Sequence, residues 1–255
     1  MRFLFLFFVF SMILTGKTPA QQGIADKETG IMIRFVADHG MFPAHWYSKK
    51  INAQAVNLDP TQVDKAMRIM RHAFSKYPVV LLKENLARVY VLKSMTFYTF
   101  HFDGTNYKNM VFLSLDETNP NYTGRYIENA FHHEFSSILL KEYGRAFQLR
   151  MKWKDVVPRG FIYGKGGAEA IKNGAFSLNY DDDLINKGFL NEYSMASLEE
   201  DFNCISQNLF CGTETFWNKV NNNPALAAKV GLVIRFYHSI VPVFTEEYFR
   251  KMSVE

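Results

Sequence analysis

An α+β fold is predicted from three observations along the 255 residues. Apolar residues recur at helical spacing after Asp59-Pro60. A series of β-branched, aromatic and aliphatic segments then fills residues 79–115, and an apolar stretch with two histidines follows, trailed by mainly helical sequence. The expected architecture is a small mixed sheet packed on the histidine-bearing helix, with a helical C-terminal half. At 48% hydrophobic, 21% charged and a net charge of +4, the composition is that of an ordinary globular chain. The charge excess is small and scattered, with no lysine/arginine run, so nothing points to nucleic acid as a partner.

The first twenty residues stand apart. Arg2 precedes the apolar run Phe3 to Leu14, and Thr-Gly-Lys-Thr-Pro-Ala leads to a small-residue exit at Ala20. This is the pattern of a signal peptide over residues 1–20, and the apolar run falls short of the roughly 20 residues needed to span a bilayer. The mature protein is expected to be secreted, periplasmic or held in the cell envelope. The exit region holds no cysteine for lipid attachment, so a lipoprotein is not expected. Residues 21–255 read as one domain, with an α/β part over about 21–145 and a mainly helical part over about 146–255.

Residues 21–58 lack sustained periodicity, although Ile31 to Val36 suits a strand. Asp59-Pro60 reads as an N-cap and first helical residue, with Val63, Met67, Met70 and Phe74 forming the buried stripe up to the stop at Pro78. Strands are predicted at Val79 to Lys83, Arg88 to Leu92, Met95 to Phe102 and Met110 to Leu115, the last two joined by a turn at Asp103-Gly104. The next helix should run from about Arg125 to Tyr143 and end at Gly144. Helices are further expected at Ser197, where Glu200 completes a capping box, at Thr213, and at Asn223-Pro224, with Pro242 preceding a short terminal helix. His238 reads as a partly buried helix residue. Gly164-Lys165-Gly166-Gly167 lacks the ending of a phosphate loop and reads as a turn, and Asp181-Asp182-Asp183 lacks the alternating donors of a calcium loop and reads as solvated loop. Cys204 and Cys211 are too far apart to bridge if one continuous helix carries both.

The chemistry concentrates in His132-His133-Glu134-Phe135-Ser136-Ser137. In the zinc-protease signature two histidines four residues apart bind the metal, and the glutamate after the first polarises the bound water. Here His133 takes the first position and Glu134 that of the base, but Ser137 stands where the second imidazole belongs, and a neutral hydroxyl is a poor zinc ligand. A His-Glu pair on an apolar helix is also the ordinary mark of a core histidine with a hydrogen-bonded neighbour. His132 is rotated about 100° from His133 on the helix. Downstream, Tyr193 precedes a helix on which Glu200 is placed to supply a third ligand. A helix, a β segment and a histidine-bearing helix follow one another as in the upper half of zincin proteases. There an edge strand beside the helix can pair with extended substrate.

Taken together, His132-His133-Glu134-Phe135 with Ile138-Leu139, then Gly188-Phe189, Tyr193 and Glu200-Asp201-Phe202 resemble the secreted zinc-binding metallopeptidases and substrate-import-associated zinc metallohydrolases of Bacteroidetes. Their helix reads His-His-Glu-Phe-x-His-Ile-Leu, and the match spans about Tyr126 to Phe210. The resemblance implies a zincin-like, gluzincin-type site: His133 and Glu200 as zinc ligands, Glu134 as base and Tyr193 as electrophile on the substrate oxyanion. The chain departs from the family at Ser137 and at Cys204, which replaces a supporting glutamate. His132 and Cys204 are the candidate substitute ligands. Two functions follow: a degenerate zinc metallopeptidase with weak or no hydrolase activity on peptide or protein, or a pseudoenzyme binding peptide or glycan at the cell surface beside outer-membrane import proteins.

Overall fold

The computed structural model describes residues 23–116, 118–120 and 122–252; the leader predicted to end near Ala20 lies outside them. The strands are β1 (Ile24–Ala25), β2 (Met32–Arg34), β3 (Gln54–Val56), β4 (Arg88–Leu92), β5 (Ser94–Phe97), β6 (Phe100–Phe102), β7 (Gly104–Tyr107) and β8 (Met110–Ser114). A five-stranded mixed sheet has the order β1-β2-β4-β8-β7, with β2, β4 and β8 parallel and β1 and β7 antiparallel to their neighbours. A second sheet has the order β3-β5-β6. The centre of the larger sheet is buried on both faces, as parallel strands require. Val89, Val91, Val111 and Leu113 point into the main core, while Tyr90, Leu92 and Phe112 pack with Met41, Phe42, Met95 and Phe97 on the opposite face.

The helices are α1 (Val63–Ser75), α2 (Val79–Asn85), α3 (Gly124–Tyr143), α4 (Leu149–Lys154), α5 (Gly167–Lys172), α6 (Asp182–Ile185), α7 (Leu198–Cys211), α8 (Glu214–Asn222), α9 (Pro224–Ile240) and α10 (Glu246–Met252). Helix α3 lies between β7 and β8 on one side and α7 on the other, with α1 also against it. Local chemistry sets most helix starts. Thr123 accepts from Tyr126 N, Ser197 from Glu200 N, Thr213 from Phe216 N and Asn223 from Leu226 N, with Pro224 as first residue of α9. The predicted stripe of α1 is buried as expected, and Leu226, Val230, Val233 and Tyr237 form the buried stripe of α9. Among the described residues no helix is long and apolar enough to cross a membrane.

Four sequence expectations are corrected. Residues Val79 to Lys83 form the start of α2, because Leu81, Leu82 and Asn85 share the buried face while Val80 is exposed, a two-sided pattern that a strand cannot give. The expected strand Met95 to Phe102 is a hairpin: Tyr98 (φ +56°) and Thr99 (φ +70°) take left-handed conformations that turn β5 into β6. Asp103-Gly104 does not turn back on itself but passes into β7, an additional strand that closes the sheet edge. His238 is exposed rather than partly buried. Asp181 caps the short α6 by accepting from Leu184 N. Cys204 and Cys211 lie on the unbroken α7, and both are buried free thiols.

Candidate functional site

Helix α3 presents His133 and Ser137 toward α7, which answers with one polar stripe. Glu200, Asn203, Cys204 and Gln207 fall at i, i+3, i+4 and i+7, the spacing that puts residues on one helical face. The Ser197 cap fixes the first turn so that Glu200 faces α3. His133 is gripped from both ends: Nδ1 donates to Gln207 Oε1 at 2.9 Å, and Nε2 lies 2.8 Å from Glu200 Oε2. A carboxylate only accepts, so the second bond holds a proton on Nε2 as well. Burial opposes that charge, but Cys204 and Glu200 beside the ring outweigh it and keep His133 protonated well above the ordinary histidine range.

Glu134 sits half-buried where β7 meets α3. Asn106 of β7 donates from Nδ2 to its Oε2 at 2.6 Å, and Lys141 in turn donates to Asn106 Oδ1 at 2.9 Å. Burial pushes the Glu134 carboxyl up to about 7, with the His133 charge and the Asn106 bond partly restraining it. The strand can come this close because of Gly104, where a Cβ would stand 3.0 Å from the Glu134 side chain. Tyr193 lies on a 3-10 turn (Tyr193–Met195), its ring 5.9 Å from that of His133. Burial, reinforced by Glu200 and Glu134, keeps its phenol neutral and thus a hydrogen-bond donor.

Of the residues singled out in the sequence, His133, Glu134, Tyr193 and Glu200 are therefore gathered at one place. Of the substitutes for the missing imidazole, Cys204 lies beside His133 and His132 does not. His132 is fully buried on another face of α3, its Nδ1 2.8 Å from Tyr77 Oη, its Nε2 3.3 Å from Glu128 Oε1, and its ring stacked on Phe210. Cys204 is fully buried with Sγ 3.7 Å from Asn191 Oδ1. Ser137 Oγ accepts from Asn203 Nδ2 at 2.7 Å, and Asn203 Oδ1 accepts from Ser136 Oγ. The amide of Asn203 thus ties together the two serines of the α3 face. Asn203 and Gln207 were missed because a search for metal donors passes over amides, although their spacing from Glu200 was readable.

Zinc held by protein in a hydrolase takes three protein ligands and a water. His133 and Glu200 supply two, the Ser137 hydroxyl is already engaged by an amide, and among the described residues the Cys204 thiol does not converge with both within 4.8 Å, so the residues at this place do not fit a catalytic zinc ion. Among the described residues, donor atoms of a histidine, a cysteine and a carboxylate converge within 4.8 Å at Glu128, His132 and Cys211. There the Lys76 ammonium already occupies the cation position, 2.6 Å from Glu128 Oε1, 2.8 Å from the Phe210 carbonyl and 3.6 Å from Cys211 Sγ.

A second buried network stands behind Glu200. Asp201 points the other way into the core, where Lys229 Nζ lies 2.6 Å from its Oδ2, with both side chains fully buried. Tyr163 Oη also donates to Asp201 Oδ2, at 2.5 Å, and itself accepts from Trp153 Nε1. The pair Glu200-Asp201 therefore serves two sides of α7, one facing His133 and one fastening the helix to α9.

No family profile matches the chain, and no curated protein does either. Among solved structures it is similar to a putative zinc-binding metallo-peptidase from Bacteroides caccae, with a TM-score of 0.53 and 17% sequence identity over 78% of each chain. At that identity the likeness establishes a shared fold: this chain has the mixed α/β architecture of that protein, with about the same share of each chain inside the common frame.

Proposed function

We propose that this protein is a secreted, zincin-like metallopeptidase relative with weak or no hydrolase activity, which holds an extended peptide in its cleft rather than cutting it. The observation that carries the reading is the contrast between the two halves of the site. In support, Tyr193 lies against His133 and Glu134 is bonded to Asn106 of the edge strand β7, whereas Ser137, at the sequence position of the family's second imidazole, is bonded to Asn203. Secretion rests on the leader pattern of residues 1–20.

In this reading β7 offers its outer backbone groups to an incoming strand. Glu134 lies at the head of that edge and, near neutral pH, accepts a proton or a hydrogen bond from a peptide N–H. Tyr193 donates to a peptide carbonyl, and the His133 charge stabilises negative charge beside it. A bound zinc ion would supply Lewis-acid activation of a carbonyl and of water, and the donor set present does not provide for it.

The test pairs binding with cleavage. Labelled unstructured peptides, followed by fluorescence anisotropy with and without added zinc, should bind, and mass spectrometry of the same mixtures should find them intact. Zinc-dependent cleavage abolished by Glu134→Gln would show an active peptidase instead. No binding across a diverse peptide set would remove the peptide-holding role.

A further inference from the structure

The segment between α4 and α6 does more than connect them. Gly167 is buried against the site, and a Cβ there would stand 2.2 Å from Tyr193 Oη and 2.4 Å from Glu200 Oε1. The main chain therefore lies directly on the two cleft-facing groups, an approach only glycine permits. Just upstream, Gly164 N donates to Met195 O at 3.0 Å and Gly166 N to Ala196 O at 2.8 Å, zipping the segment to the turn that carries Tyr193. At the far end of α5, Lys172 Nζ sits 3.7 Å from the centroid of Tyr98, at the tip of the β5-β6 hairpin. That hairpin runs through Asp103 straight into β7. A six-residue helix is about 9 Å long, so the segment reaches from the Glu200 wall of the cleft to the wall built by the hairpin.

Two further features suit a closure that opens. Gly166 (φ +100°) and Gly174 (φ +74°) bracket α5 in conformations that side chains rarely adopt, with open space around both. The solvent flank of the segment borders a hollow lined by Lys165, Glu169, Asn173, Glu192 and Met195, so it is unpacked on that side. Backbone bonds fix it at one end and the Lys172-Tyr98 cation-π contact at the other, while Gly167 and Ala170 within it are buried and Lys172 also pairs with Glu169 at 3.7 Å.

We propose that residues 164–174 form a strap closed over the cleft and latched by Lys172 on Tyr98, and that a peptide gains β7 by lifting it. The occupant rests on the peptide-holding reading above, whereas the strap itself rests on geometry alone. With the latch intact the site is covered by its own chain; with it released, the strap pivots at Gly166 and Gly174 and exposes Glu134 and Tyr193.

Hydrogen-exchange mass spectrometry on the full protein without any peptide tests the latch. Lys172→Ala should speed exchange of the amides in 164–174 roughly fivefold, the scale of a partly desolvated cation-π contact, and leave α3 and α7 unchanged. Lys172→Arg, which keeps the cation, should stay near the natural protein, and Tyr98→Leu should reproduce the alanine effect from the opposite wall. Unchanged exchange in both Lys172→Ala and Tyr98→Leu, or a rise spread evenly over the domain, would overturn the strap. The same variants are then mixed with labelled peptide. Faster association supports both proposals, whereas a loosened strap with no peptide bound keeps the latch and removes the ligand.

Discussion

Replacing Glu134 by glutamine should stabilise the protein in a way that depends on pH. The folded carboxyl is held at about 7 against an ordinary value of 4.5, mainly by burial. A folded value above the unfolded one means that the native state binds more protons between those limits, so this group costs stability as pH rises from 4.5 and the whole cost is present above 7. The shift corresponds to about 3 kcal/mol at about 1.4 kcal/mol per tenfold change in proton affinity. Glutamine carries no charge to desolvate, and its side-chain carbonyl can still accept from Asn106, the bond that now runs at 2.6 Å. For a chain of this size each kcal/mol moves the melting temperature by about 2–4 °C. Glu134→Gln should therefore melt roughly 6–12 °C above the natural protein at pH 8 and at about the same temperature at pH 4. Thermal unfolding followed by circular dichroism across that range measures it. A glutamine variant less stable at pH 8, or a difference that does not change with pH, would show that Glu134 is not held in a charge-hostile place.

Asp201→Asn should cost about 3–5 kcal/mol in urea unfolding, because it strands the fully buried Lys229 ammonium without its counter-charge, and Asp201→Asn combined with Lys229→Met should recover most of the loss. Ser137→His with Asn203→Ala, which restores the imidazole and frees the space the amide now uses, should make the melting temperature rise with added zinc, since metal bound only by the folded state stabilises it by mass action. A variant that stays folded without any zinc response would show that position 137 does not converge with His133 and Glu200. Thiol titration should find Cys204 and Cys211 both reduced, unreactive in the native protein and fully reactive in denaturant, whereas a bridged pair would contradict the continuous α7.

What could be read from the sequence was what local chemistry decides. The caps at Ser197, Thr213 and Asn223 act on residues three positions away, and the helical stripes of α1 and α9 are periodic over several turns. Their order, together with His133 and Glu200, was enough to bring the two side chains of the site together across sixty-seven positions. The misreadings fall where tertiary packing overrides propensity. Val79-Val80-Leu81-Leu82 has the composition of a strand, yet helix α2 buries only its leucine side. The Tyr98-Thr99 reversal carries none of the glycine or asparagine that usually marks a left-handed turn. The Gly-Thr-Asn-Tyr sequence of β7 is too polar to announce an edge strand, although its glycine and asparagine are what fit it against Glu134. The Lys229, Asp201, Tyr163 and Trp153 network joins four distant segments, and no local pattern signals it.

The proposed loss of the metal set at position 137 is tested most directly by the zinc content of the protein purified without chelator. Elemental analysis after dialysis against trace zinc, beside His133→Ala treated identically, should find well under one zinc per chain in both, with no difference between them. One zinc per chain in the natural protein, lost in His133→Ala, would contradict the account.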